Sequence, residues 1–247
     1  MSRRKFTAVL QRGNPDELLV YDEEEACPYL EGETARLPMR LPLRPLSNEE
    51  VDDRLSRGDR RHGRFLYRPQ CPTCRACQPI RVDVAAFTMS RNQRRHFARA
   101  EAVLRTEIAK PICDARHLEL YELHKWKRGL AGPNTRPLTA QGYAGFLVDR
   151  CGDSFELQYY LDDTLVGVAV TDSGHHALSA VYCYYDPAHA KLGIGTYSVL
   201  KQLELCKRWN LRYLYLGLFI EANPHMSYKQ RFRPHERLID GRWQPFA

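Results

Sequence analysis

No long apolar run occurs in this 247-residue sequence: the longest, residues 165–170, falls far short of the roughly 20 residues that cross a bilayer. Residues 1–13 carry early positive charge but lack the run of roughly 7–15 apolar residues that a signal peptide needs. The expectation is a soluble, cytoplasmic protein with no membrane partner. Internal repeats and low-complexity tracts are also missing, which argues against a solenoid or a tailed disordered protein. Nor is there a GxxxxGK[ST] loop to cradle a nucleoside triphosphate, so chemistry that depends on one is excluded.

What is present is charge, unevenly placed. The net charge is +7, yet residues 54–110 alone hold 14 Lys or Arg against four acids, a local balance of +10. Just before them, residues 16–33 hold eight acids and no base. A dense cationic segment seeks a polyanion such as RNA, or acidic groups on a partner.

Eight cysteines without an export signal point to a reducing compartment, where clustered cysteines bind metal or do redox chemistry more often than they form disulfides. Cys71, Cys74 and Cys77 fall in two CxxC steps, and Cys27 is available as a fourth thiolate. Four cysteines suit structural zinc or an iron–sulfur cluster. Cys113, Cys151, Cys183 and Cys206 are scattered in apolar or helical settings and read as buried small hydrophobes.

The first hundred residues are irregular, with prolines at 28, 38, 42, 45, 69, 72 and 79 and short strand-like runs at 18–21 and 80–84. The basic stretch 92–104 has helical character, with Phe97 and Leu104 inward. A boundary near Lys110-Pro111 divides an N-terminal domain, 1–110, from a C-terminal one, 111–247. In the second half, Asp114 caps a helix to about Arg128 with Leu118, Tyr121 and Trp126 roughly on one face, and Thr139 caps another carrying Tyr143, Phe146 and Leu147. Strands follow at 155–161, 165–171 and 178–185, the first two joined by a tight Asp162-Asp163 turn, and His175-His176 occupies the next hairpin. A helix at 195–209 with Tyr197, Leu200, Leu203 and Cys206 inward and a strand at 212–218 complete the order.

That order resembles the acetyltransferase-like (GNAT) fold: an α+β class with a mixed sheet flanked by helices, here preceded by a cysteine-containing, basic N-terminal domain. Gly193 and Gly195 lie where such folds turn from the central strand into a helix, whose amides suit a phosphate or a developing oxyanion. The acyl-CoA version of the turn starts with Gln or Arg, whereas this one starts with Ala190.

Several motifs in order carry a broader resemblance. SAVYCYYDP (179–187), LGIGTYSVL (192–200), YLGLFI (215–220) and MSYKQRFRP (226–234), together with CPYL (27–30), RRHGRFLYRP (60–69) and CPTCRAC (71–77), resemble the arginyl/leucyl-tRNA–protein transferases over about residues 26–243. The resemblance implies an enzyme that takes an amino acid from charged tRNA and adds it to proteins beginning with Asp or Glu, marking them for degradation (the N-degron pathway). No cofactor is required for such a transfer. Leucine is the expected donor because bacterial members with these cysteine motifs are leucyltransferases; arginine is the alternative, and needs a buried carboxylate, for which Asp186 and Glu221 are available.

The acceptor's carboxylate needs cations. Arg61, Arg64 and Tyr67 in the first domain and Tyr228, Lys229, Arg231 and Arg233 near the end are the candidates. Arg91, Arg94, Arg95, Arg99 and Arg105 are the candidates for tRNA phosphates. No residue presents itself as a general base. Two other classes stay open on the residues alone: an acetyl-CoA-dependent N-acetyltransferase, and a non-enzymatic zinc-containing RNA-binding protein.

Overall fold

Two sheets carry most of the chain in the computed structural model, which describes residues 7–132 and 135–247. Residues 1–6, on which part of the signal-peptide argument falls, lie outside the described residues. No helix among the described residues is long and apolar enough to cross a membrane.

The first sheet is antiparallel and small. Strands β1 (Val9–Gln11), β2 (Glu17–Tyr21), β5 (Met39–Pro42), β6 (Arg60–His62) and β7 (Phe65–Tyr67) pair in the order β1-β2-β5-β7-β6, while β3 (Glu24–Ala26) and β4 (Thr34–Arg36) form a separate hairpin. Helix α1 (Asn48–Ser56) starts at a capping box: Ser47 accepts from the Glu50 amide, and Glu50 accepts from the Ser47 amide at 2.8 Å. It buries Val51 and Leu55 against Leu46, Leu66, Ala177 and Tyr215, which docks the small sheet onto the large one.

The second sheet is mixed and eight-stranded. In chain order its elements are β8 (Gln78–Asp83), α2 (Arg91–Glu101), β9 (Leu104–Ala109), α3 (Ala115–Lys127), α4 (Ala140–Tyr143) running into a π-helical turn (Ala144–Val148), β10 (Ser154–Leu161), β11 (Thr164–Ser173) and β12 (Ala177–Tyr185). A 3-10 turn (Pro187–Leu192), α5 (Ile194–Arg208), β13 (Tyr213–Phe219), α6 (Pro224–Ser227), a second 3-10 turn (Tyr228–Arg231), β14 (His235–Ile239) and β15 (Arg242–Phe246) follow. The strand order is β15-β14-β8-β13-β12-β11-β10-β9, so hydrogen bonding runs across residues 110–111. One face packs on α5, through Tyr197, Leu200, Leu203 and Cys206 against Val82, Leu157, Leu178 and Leu214. The other packs on α3 and α4, through Leu120, Tyr121, Tyr143 and Leu147 against Val168, Val170 and Tyr184.

One pair in this sheet differs from the rest. β12 and β13 are parallel and bonded only at Ala177↔Tyr213, Leu178↔Leu214 and Ser179↔Tyr215. Beyond Ser179 each strand keeps only its outer neighbour: β12 stays with β11 as far as Tyr185, and β13 with β8 as far as Phe219. A gap therefore opens between the C-terminal ends of these two strands.

Most expected elements are present, with corrections. The helix expected over 92–104 stops at Glu101, and Leu104–Ala109 instead forms the edge strand β9. On α3 the inward side chains are His117, Leu120, Tyr121 and His124, while Trp126 is 46% exposed. The Asp162-Asp163 turn and the hairpin at His175-His176 lie where expected, joining β10 to β11 and β11 to β12. Of the four scattered cysteines only Cys206 is fully buried; Cys113, Cys151 and Cys183 are partly exposed.

Candidate functional site

Residue 217 sits on β13 at the gap, in the left-handed region at φ +84°, a conformation that glycine adopts without cost. A side chain there would collide with the guanidinium of Arg60, which lies against the bare Cα. Arg60 is on β6 opposite Tyr67. Its Nε is buried without a hydrogen-bond partner, and no carboxylate lies within ion-pair distance of the side chain among the described residues.

Next to it, Lys229 is buried in the 3-10 turn after α6. Its Nζ donates to the Leu218 carbonyl at 2.6 Å and contacts Met226 Sδ at 3.2 Å. Burial and the neighbouring Arg60 charge push its pKa down to about 7. Two cations at the gap thus have no anionic partner among the described residues, which an anionic ligand would correct. Tyr29 lies by Arg60 and Tyr67, and Asn223 Nδ2 holds the Tyr29 carbonyl at 3.0 Å.

Tyr228 lies within electrostatic reach of Arg60 on one side and of Tyr185, Cys183 and Arg128 on the other; burial first, then Cys183 and Tyr185, pushes its hydroxyl up to about 12. The Tyr185 ring would stand 3.6 Å from a side-chain carbon added at Gly195. The gap and the start of α5 therefore form one continuous region. The Gly193 amide is spent on the Ala190 carbonyl (2.9 Å), and its carbonyl accepts from Thr196, Tyr197 and the His96 ring. Gly193, at φ +61°, also has His96 where a side chain would go. Gly193 is thus scaffold, and the first-turn amides of Ile194 and Gly195, which lack an intrahelical acceptor, are the donors left to face a ligand.

Of the expected site residues, Tyr67, Tyr228, Lys229 and Gly195 come together here. Arg61 does not: it is buried facing away, with Nε 2.9 Å from Asp172 and Nη1 3.0 Å from the Asp149 carbonyl. Arg64 is exposed at the tip of the β6–β7 hairpin, Arg231 is exposed with its carbonyl held by Gln93, and Arg233 is exposed and bonded to carbonyls of Gln230 and Ala247. Asp186 caps the 3-10 turn through the Ala188 amide at 2.9 Å, and Glu221 is exposed. Neither is the buried carboxylate that an arginine pocket requires.

On α2, Arg91, Arg94, Arg95 and Arg99 are exposed and make no ion pair among the described residues, whereas Arg105 on β9 is paired with Glu107. Cys77 is pushed up to about 12 by burial first and then by the electrostatic influence of Cys71, Cys27 and Cys74. Among the described residues no three His, Cys, Asp or Glu stand in a metal-holding arrangement.

Arg60 is the residue that sequence reasoning missed. Strand alternation sends Arg60 and Arg61 to opposite faces, and nothing local says which faces the gap.

Comparison with known proteins decides the family. The model of the arginine-tRNA-protein transferase N terminus matches residues 25–95, and that of the C terminus matches residues 116–239. The chain belongs to the arginine-tRNA-protein transferase family. Among its relatives are aspartate/glutamate leucyltransferases of Thiobacillus denitrificans (38% identical over 218 residues, 88% of this chain and 90% of that one) and Acinetobacter baumannii (35%, 88% and 80%). That of Aeromonas salmonicida is 37% identical over 220 residues, covering 88% and 90%. As a member of the arginine-tRNA-protein transferase family the protein is an aminoacyltransferase, with aminoacyl-tRNA and a protein acceptor as its substrates. Its fold is also found at 11% identity in the C-terminal domain of a protein described as a lysylphosphatidylglycerol synthetase from Agrobacterium fabrum, with a TM-score of 0.51 over 69% of this chain and 58% of that one.

Proposed function

We propose that this transferase moves leucine from Leu-tRNA onto the α-amine of proteins beginning with Asp or Glu, in the cytoplasm, as part of an N-degron pathway. The observation that carries this reading is the pair of cations at the gap, Arg60 and Lys229, which have no carboxylate of their own among the described residues. An acceptor's acidic side chain supplies the missing anion and brings its α-amine to the end of the gap. The amine, with a pKa of about 7.7–8.0, has a useful neutral fraction near neutral pH. It attacks the ester carbonyl carbon; the new C–N bond forms, the ester C–O bond breaks, and the ribose hydroxyl leaves with a proton. The amides of Ile194 and Gly195 face the oxyanion in this arrangement, and positioning supplies much of the rest.

Leucine rather than arginine is supported by the positions of Asp186, which is partly exposed and spent on capping the 3-10 turn, and of Glu221, which is exposed. The acetyltransferase-like reading of the large sheet is supported by the β12–β13 gap with a helix starting just past the end of β12. Cys27, Cys71, Cys74 and Cys77, in a basic N-terminal module, have the donor set of structural zinc or an iron–sulfur cluster, and the electrostatic influence of the other three on Cys77 supports their lying in one region. The deciding experiment is transfer from purified Leu-tRNA and Arg-tRNA to peptides beginning Asp, Glu, Lys or Ala. Leucylation confined to Asp and Glu peptides is expected; arginylation alone, or equal use of Lys and Ala peptides, overturns the proposal.

A further inference from the structure

The last turn of α3 carries an exposed tryptophan among cations beside the start of α5. Trp126 is 46% exposed, and its Nε1–H donates to Glu122 at 2.8 Å. Glu122 is itself held by the Leu138 amide at 2.9 Å. The indole is thus fixed by one edge while much of its surface stays in water, at an energetic cost that core packing does not require. Lys127 and Arg128 follow it, exposed and with no ion pair among the described residues.

This turn is tied to the reacting region. His124 Nδ1 accepts from the Tyr185 amide at 3.2 Å, fixing α3 to the end of β12. The Arg128 guanidinium lies 5.9 Å from the centre of the Tyr185 ring, which borders Gly195. On the opposite flank, His96 of α2 contacts the Gly193 carbonyl at 3.1 Å. The start of α5 therefore lies between two unpaired basic surfaces, α2 on one side and the α3 turn on the other. Of these two surfaces, the α3 turn is the one that combines its cations with an exposed tryptophan.

Cations with an exposed, pre-oriented aromatic ring suit single-stranded nucleic acid, whose bases stack while its phosphates are neutralised. A duplex offers no free base face, which assigns the duplex phosphates to α2. We propose that the α3 turn is the docking site for the single-stranded 3′ end of the donor tRNA, with Trp126 stacking on one of its bases and Arg128 holding its backbone. The proposal rests on the reading of aminoacyl-tRNA as donor and adds where its unpaired end lies. An acidic protein segment would also meet the cations, but it has no planar base to place on the indole.

The test is binding of deacylated tRNA, and of the same tRNA lacking its unpaired 3′ nucleotides, to the full chain and its variants. Trp126→Ala should weaken binding of intact tRNA about tenfold, the effect of losing one stacked base, and leave the truncated tRNA unaffected. Trp126→Phe should restore most of the loss, and Arg128→Gln should weaken intact tRNA more than truncated. Equal affinity of Trp126→Ala and the parent protein for intact tRNA overturns the proposal, as does equal loss on both RNAs. A Phe variant no better than the Ala variant, or a glutamate-rich peptide that competes only through Trp126, also overturns it. Parent protein that binds neither RNA refutes the donor reading as well, which separates the two failures.

Discussion

Among the described residues, eight of the eleven arginines in residues 7–75 are ion-paired, whereas none of the four on α2 is. Glu17 alone serves Arg40 at 3.2 Å and Arg54 at 2.9 Å, and Asp59 takes Arg40 as well at 2.7 Å. Of the acidic stretch that precedes the basic segment, Asp16, Glu17 and Asp22 pair with arginines, and Glu17 reaches into the basic segment at Arg54. By contrast Arg91, Arg94, Arg95 and Arg99 are exposed to solvent, and Arg60 and Lys229 line a gap without a counter-ion among the described residues. A cation density read along the chain is therefore not a binding face. What matters is which cations the fold leaves without partners: the paired set is engaged within the fold, and the unpaired set is the one free to meet a ligand.

The largest expected effect lies in the paired set. Arg61, with 3% of its side chain exposed, is 2.9 Å from Asp172, so Arg61→Ala leaves a half-buried carboxylate without its cation. The loss should be about 3–5 kcal/mol of unfolding free energy in a denaturant titration. A loss under about 1 kcal/mol would mean that this pairing does not hold the two sheets together.

A smaller but separable effect belongs to α2. Replacing Arg91, Arg94, Arg95 and Arg99 by Gln should flatten the salt dependence of tRNA binding by about 0.9 in log–log slope for each duplex phosphate no longer neutralised, with little change in stability. Replacing the paired Arg44 and Arg57 should leave that slope unaltered. If both sets flatten it equally, the distinction between paired and unpaired arginines fails.

Much of the second half was legible because its signals are local. Caps at Asp114 and Thr139, the inward series Tyr197, Leu200, Leu203 and Cys206, and the Asp162-Asp163 turn each need only a few neighbouring residues. The capping box at Ser47 and Glu50 was equally local but lay among prolines at 42 and 45, which obscured a nine-residue helix. β9 was hidden because helical residues run directly into it, and β14 because its partner β8 is over 150 residues away, while β15 pairs with β14 alone at the sheet edge. The choice between Arg60 and Arg61 was illegible for the same reason: Asp172, which claims Arg61, lies 111 residues along the chain, and Gly217, which makes room for Arg60, lies farther still. The family motifs pointed to the right stretch without saying which of its cations is free.

A still finer expectation concerns pH. Burial and Arg60 hold Lys229 near a pKa of about 7, so it is charged below that pH and neutral above it. Affinity for an acidic acceptor side chain should therefore fall, by a factor of a few, as pH rises through 7, while the neutral fraction of the α-amine rises through about 7.7–8.0. The ratio of kcat/KM for Asp- over Asn-initiated peptides should decline between pH 6.5 and 8.5, and Lys229→Met should flatten that decline. A ratio independent of pH in the parent protein would remove Lys229 from acceptor recognition.

The most direct measurement of the central claim is that same ratio in Arg60→Gln at fixed pH, with Arg61→Gln as the paired counterpart. Loss of one charge-assisted hydrogen bond of roughly 1.5–3 kcal/mol should lower kcat/KM for Asp peptides about 10- to 150-fold in Arg60→Gln. Asn peptides and tRNA affinity should be nearly unchanged, and the Arg61 variant should keep its preference for Asp in whatever fraction remains folded. An Arg60→Gln enzyme that still prefers Asp to Asn as strongly as the parent would contradict the account.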